Sequence, residues 1–186
     1  NLITYSEDFS QWSIISSGIV ITDNTNEVLS PSGKNDASKV EFNAASKILG
    51  QSPTLSGSCS GFVYVKGTQG ETIRFNFGGT EENFTLTGGW DKLERTNITA
   101  TANAFNLNTF SGVTARTIYV WGAQLEQGSY PTSYIPTNGA AATRYADECN
   151  SAGTSDTFND SEGVLFAEIS ALANDGSNRS IAVINN

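Results

Sequence analysis

The chain has 186 residues, 19 acidic and 10 basic, for a formal net charge of -9. A phosphate backbone would be repelled by that charge and no Lys/Arg cluster offsets it, which excludes nucleic acid as a partner. The sequence contains no histidine, so the commonest general base and the commonest zinc ligand are absent together, and no apolar run approaches the roughly 20 residues that span a bilayer. Eighteen Gly set among ten Phe, six Tyr and three Trp supply turn-formers and large β-formers, the mixture of a loop-rich all-β domain.

Taken in chain order, the start carries Glu7 and Asp8 and then Trp12, which follows a polar turn and so has a claim to exposure. Alternation of apolar and polar residues predicts strands at 19–22, 38–42, 60–66, 72–77, 83–87, 92–100, 105–109 and 116–126. Ser30-Pro31-Ser32-Gly33 and Gly88-Gly89 punctuate the pattern, and Gly67-Thr68-Gln69-Gly70 reads as a hairpin turn between two alternating runs. In 72–77 the split is clean: Ile73, Phe75 and Phe77 face a core, while Thr72, Arg74 and Asn76 face solvent. In 116–126, Tyr119, Trp121, Ala123 and Leu125 fall on one side and Ile118, Val120, Gly122 and Gln124 on the other. Both sides are largely apolar, so this strand is expected at the centre of its sheet, with Trp121 in the core.

After Glu126 the segment 128–137, punctuated by Pro131 and Pro136, reads as a chain leaving its domain. A polar stretch follows, and a new alternating run opens at 164–170 with another at 181–184. Two strands do not make a domain, so the chain is expected to continue past Asn186. The expected organisation is an antiparallel jelly-roll β-sandwich over 1–147, a linker over 148–161, and the first strands of a second β-sandwich over 162–186.

The sequence holds none of the usual phosphate-loop, dinucleotide, zinc-protease or serine-hydrolase motifs. Cys59 within Gly57-Ser58-Cys59-Ser60-Gly61 has no base to activate it. Glu81-Glu82 and Glu7-Asp8 are the carboxylate pairs available for glycoside chemistry, but adjacent strand residues point to opposite faces. A non-enzymatic binding chain is therefore expected. Aromatic rings stack on the apolar faces of sugars, and Asn and Arg bond their hydroxyls, which nominates Trp12, Tyr64, Arg74, Asn76 and Trp90 as carbohydrate-binding residues. No cofactor is required. One structural Ca is conceivable, held by the oxygens of Glu7, Asp8, Asp23, Gln124 and Glu126 if the two ends of the domain pair. Cys59 and Cys149 either form a disulfide closing a long loop or remain buried thiols.

Several stretches resemble a module of bacteriophage tail, fibre and other virion proteins that is similar to carbohydrate-binding jelly rolls. They are the opening Asn1-Leu2-Ile3-Thr4-Tyr5-Ser6-Glu7-Asp8-Phe9, the run Tyr119-Val120-Trp121-Gly122-Ala123-Gln124-Leu125-Glu126, and Pro131-Thr132-Ser133-Tyr134-Ile135-Pro136-Thr137. In such proteins a concanavalin-like or laminin-G-like sandwich often follows, and 161–168 looks like its first strand. The resemblance implies a virion surface protein that adheres to bacterial surface polysaccharide, packs against other virion subunits as a homo-oligomer, and inserts in no membrane. The other reading is the carbohydrate-binding module of a secreted polysaccharide-degrading enzyme.

Overall fold

In the computed structural model, which describes residues 1–144, the predicted alternating runs form strands whose apolar sides meet between two sheets. The strands are β1 (Ser13–Ile14), β2 (Ile19–Thr22), β3 (Ser38–Phe42), β4 (Ile48–Gln51), β5 (Ser58–Lys66), β6 (Thr72–Phe77), β7 (Thr80–Thr85), β8 (Trp90–Thr99), β9 (Phe105–Asn108) and β10 (Arg116–Gln127). They form two five-stranded antiparallel sheets, ordered β1-β4-β9-β6-β7 and β2-β3-β10-β5-β8. This is an all-β jelly-roll sandwich. Ile73, Phe75, Phe77, Phe105 and Leu107 from one sheet pack on Val40, Val63, Val65, Val120 and Leu125 from the other. Burial of that apolar surface is the main favourable term in the fold.

Four details differ from expectation. The turn at Gly67–Gly70 is not a hairpin, because β5 and β6 belong to opposite sheets; it carries the chain across the sandwich. The hairpin of this region lies one turn later, between β6 and β7, where Gly78 and Gly79 adopt φ of 62° and 88°, a left-handed region open to glycine at no steric cost. Strands β1 and β4 and a short 3-10 helix, Phe9–Gln11, were not anticipated, since two residues show no period and Gly50 interrupts Ile48–Gln51.

The third difference lies in β10, which does occupy the centre of its sheet. Its register against β5 shifts between Trp121 and Gln124, and Gly122 there has φ 65°. This β-bulge inserts a residue and reverses which side faces in. Ile118 and Val120 point to the core before it, and Ala123 and Leu125 after it, so Trp121 does not share a face with Ala123 and Leu125.

The fourth is the fate of 131–137. It folds back onto the domain. Gln124, fully buried, accepts from the Ile135 amide through Oε1 (2.6 Å) and donates through Nε2 to the carbonyls of Thr132 and Ser133 (3.1 and 3.3 Å). Glu126 accepts from the Thr132 amide and hydroxyl at 3.1 and 2.9 Å. Thr137 donates its hydroxyl to the Ile3 carbonyl (2.7 Å) and its amide to Ser6 Oγ (2.8 Å). The expected linker and second sandwich lie outside the described residues.

Candidate functional site

Two rows of outward side chains cross the sheet β1-β4-β9-β6-β7. Strand register sets Asn83, Arg74, Asn108 and Ile48 in one row, and Glu81, Asn76, Asn106, Gly50 and Ser13 in the next. Arg74 is fixed from three directions. Its Nε donates to Asn83 Oδ1 (2.9 Å), its Nη1 to Glu81 Oε2 (2.6 Å), and the guanidinium carbon lies 4.6 Å from the centroid of the Phe110 ring. Asn76 Nδ2 donates to Glu81 Oε1 at 3.4 Å.

The amide oxygens of this face are the unusual feature. Asn106 and Asn108 are 9% and 5% exposed, and the side-chain oxygens of Asn76, Asn106 and Asn108 are buried with no hydrogen-bond donor. Buried acceptors are nearly always satisfied, and each exception asks for an explanation. Here three sit in two adjacent rows of one face. Gly50 makes room for the middle one: a Cβ at that position would stand 1.8 Å from Asn106 Oδ1 and 2.8 Å from the Phe105 carbonyl oxygen. Arg74 and Asn76 were legible from the alternation of 72–77. Asn106 and Asn108 carry the same signal, since Phe105-Asn106-Leu107-Asn108 alternates in step with Thr72–Phe77.

The remaining nominated residues lie elsewhere. Trp12 is 3% exposed, with its ring stacked on Phe9 at 4.5 Å and edge-on to Phe105 at 5.8 Å. Its Nε1 donates to the Tyr5 carbonyl (2.8 Å), so Trp12 belongs to the core and not to a surface platform. The polar turn before it is the 3-10 helix, whose Phe9 draws the indole inward. Trp90 and Tyr64 are half-buried on the outer face of the opposite sheet. There Phe62, Tyr64 and Trp121 form a cluster that Tyr134 packs against, 4.9 Å from Trp121. Burial drives the Tyr134 phenol well above its ordinary pKa, and the Glu7 carboxylate beside it pushes the same way.

The five oxygen ligands proposed for calcium do not come together. Glu7, Asp8 and Asp23 line an open cleft of about 230 Å³ with Asn24, Asp36, Thr137 and Asn138, whereas Gln124 and Glu126 are engaged with 132–135. Even within the cleft the carboxylates are spoken for. Glu7 accepts from the Tyr134 hydroxyl (3.0 Å), Asp8 caps the 3-10 helix at Ser10, and Asp23 accepts from Ser38 (2.6 Å). Among the described residues no group of three or more carboxylate or thiol side chains is arranged to hold a metal. Cys59 is a buried free thiol; Cys149 lies outside the described residues.

Compared with protein-family models and with curated proteins, the sequence shows no match. Solved structures similar to it include the following three. The module TmCBM61, solved with beta-1,4-galactotriose, has a TM-score of 0.44 at 18% identity, over 66% of this chain and 92% of that one. A CBM4 structure has a TM-score of 0.40 at 16% identity, over 60% and 95%. The carbohydrate-binding module CBM6cm-2 of Cellvibrio mixtus lichenase 5A, solved with cellotriose, has a TM-score of 0.37 at 19% identity, over 63% and 94%.

Proposed function

We propose that this chain is a non-catalytic glycan-binding module and that the outer face of β1-β4-β9-β6-β7 takes the polysaccharide. The observation that carries this is the half-exposed pair of Arg74 and Asn76, set beside the buried amides of Asn106 and Asn108. A sugar chain is a dense array of hydroxyl donors, and Arg74, pinned by Asn83, Glu81 and Phe110, offers donors of its own in a fixed plane. The carboxylates of the face serve structure: Glu81 orients Arg74, and Glu82 pairs with Arg95 at 3.1 Å across the edge of the sandwich. Neither is left as an acid or base, and the reading needs no cofactor.

The test is a glycan array read with the wild-type chain, Arg74→Ala and Asn76→Ala. Each variant is expected to weaken binding by about tenfold, the loss of one or two hydrogen bonds to the ligand, with melting temperature unchanged. Failure of the wild-type chain to bind any neutral polysaccharide ends this reading.

The resemblance of 119–126 and 131–137 to virion modules is the ground for one placement: display on a bacteriophage appendage at the particle surface, in many copies, against bacterial polysaccharide and neighbouring subunits. Linked copies exceed single-site affinity by roughly 10² to 10⁴, which suits a shallow site. A binding module of a secreted polysaccharide-degrading enzyme is the other placement. Capsid and tail genes beside this one favour the first, and hydrolase or lyase sequence in the same chain favours the second.

A further inference from the structure

The opposite outer face is built differently. Register sets Trp90, Lys66 and Tyr119 in one row across β8, β5 and β10, and Lys92, Tyr64 and Trp121 in the next. Rings and lysines therefore interleave. Three cations lie in this neighbourhood, and two are committed. Lys92 pairs with Glu94 and lies 4.1 Å over the centre of the Phe62 ring, and Lys39, beside Tyr119, pairs with Glu27 at 3.0 Å. Lys66, half-buried between Trp90 and Tyr119, has no ion pair and no side-chain hydrogen bond among the described residues.

Both rings that flank Lys66 are held in place by one loop. Trp90 Nε1 donates to the Leu29 carbonyl (2.9 Å), and the Tyr119 hydroxyl donates to Glu27 Oε2 (2.7 Å). Fixed rings on either side of an uncommitted ammonium form a preorganised pair of stacking surfaces around a single charge. The chain's net charge of -9 repels polyanions at long range, so Lys66 would have to act locally, on one anionic group that also presents flat apolar faces.

We propose that this face is a second glycan site, selective for a sugar residue bearing a carboxylate, with Lys66 recognising the carboxylate and Trp90 and Tyr119 taking the sugar rings. It shares no residue with the amide face and stands or falls independently of it. A neutral sugar gives Lys66 only hydroxyl acceptors in place of a charge-assisted bond, and an acidic peptide has the charge without the sugar-ring faces.

Affinity electrophoresis in gels cast with polygalacturonate separates these cases. The wild-type chain is expected to be retarded, the retardation to fade as salt is raised, and the same polymer with its carboxylates reduced to alcohols to retard it about tenfold less. Lys66→Gln is expected to lose about tenfold on polygalacturonate, Trp90→Ala to lose at least as much, and Lys66→Arg to keep most of the binding. The proposal is overturned by wild-type retention equal to that of Lys66→Gln, by equal retention on the reduced polymer, or by Lys66-dependent retention in poly-glutamate gels. Absence of retention in both polygalacturonate and alginate gels overturns it as well.

Discussion

The sheet β1-β4-β9-β6-β7 turns asparagines outward, whereas β2-β3-β10-β5-β8 turns rings outward and then covers part of them with Tyr134. The two sheets share one core, so the difference lies in what each outer face needs. Arg74 and Asn76 tolerate water and stay half-exposed on their face, beside amide oxygens that are themselves buried. Phe62 and Trp121, 2% and 8% exposed, are apolar on the wrong side of a sheet and require a lid, which the chain supplies by folding 131–137 back. That lid is held by Gln124 and Glu126, side chains of the same strand that carries Trp121.

The sharpest way to break this contrast is to remove the lid. Tyr134→Ala deletes the ring packed on Trp121 and the hydroxyl bonded to Ser6 (2.7 Å) and Glu7, and is expected to lower stability by about 3 kcal/mol, as for other aromatic truncations. Tyr134→Phe keeps the ring and is expected to lose about 1 kcal/mol. Urea unfolding measures both. A Tyr134→Ala chain as stable as wild type would mean that 131–137 is not a lid at all.

Next in size is Gly50→Val, which attacks the amide face. Its side chain would occupy the position of Asn106 Oδ1 and press on the Phe105 carbonyl. An overpacking loss of about 2 kcal/mol is expected, together with loss of neutral-glycan binding and retention of Lys66-dependent binding. Urea unfolding and the two binding assays read these effects separately. Loss of both activities in a folded Gly50→Val chain would show that the faces are coupled and the comparison is too simple.

How much of this was legible beforehand follows from what alternation encodes. It marks which residues of one strand share a face, and for β6 that was enough to identify inside and outside. It does not say which sheet the next strand joins, so Gly67–Gly70 was taken for a hairpin when it crosses the sandwich. Nor does it see a bulge: the switch at Gly122 depends on a positive φ that any glycine permits and few require. The amide face was half legible, through Arg74 and Asn76. Its other half depended on β9 pairing with β6, a contact between residues about thirty positions apart that no local pattern carries. Co-occurrence of the 119–126 and 131–137 motifs was visible in the sequence as a resemblance, and its cause is physical, because Gln124 and Glu126 bind the backbone of Thr132–Ile135.

The smallest effect concerns the loop that pins the rings around Lys66. The hydrogen bond from Tyr119, and after it that from Lys39, hold the Glu27 carboxyl below its ordinary pKa. The same hydrogen bond to Glu27 raises the Tyr119 phenol. A depressed folded-state carboxyl contributes stability above the unfolded pKa and loses it as pH falls through the depressed value; a raised phenol contributes below its unfolded pKa and loses it as pH climbs through the raised value. The Glu27–Tyr119 tie is therefore present through neutral pH and bounded by Glu27 on the acid side and Tyr119 on the alkaline side. Glu27 is exposed, so the effect on global stability is small, but the local effect is measurable. In an NMR titration the Glu27 carboxyl is expected to titrate below the ordinary Glu range, to move the Tyr119 ring resonances with it, and to return toward that range in Tyr119→Phe. A midpoint indifferent to Tyr119→Phe would mean that Glu27 does not hold the ring, and that of the two rings flanking Lys66 only Trp90, through Leu29, is fixed by this loop.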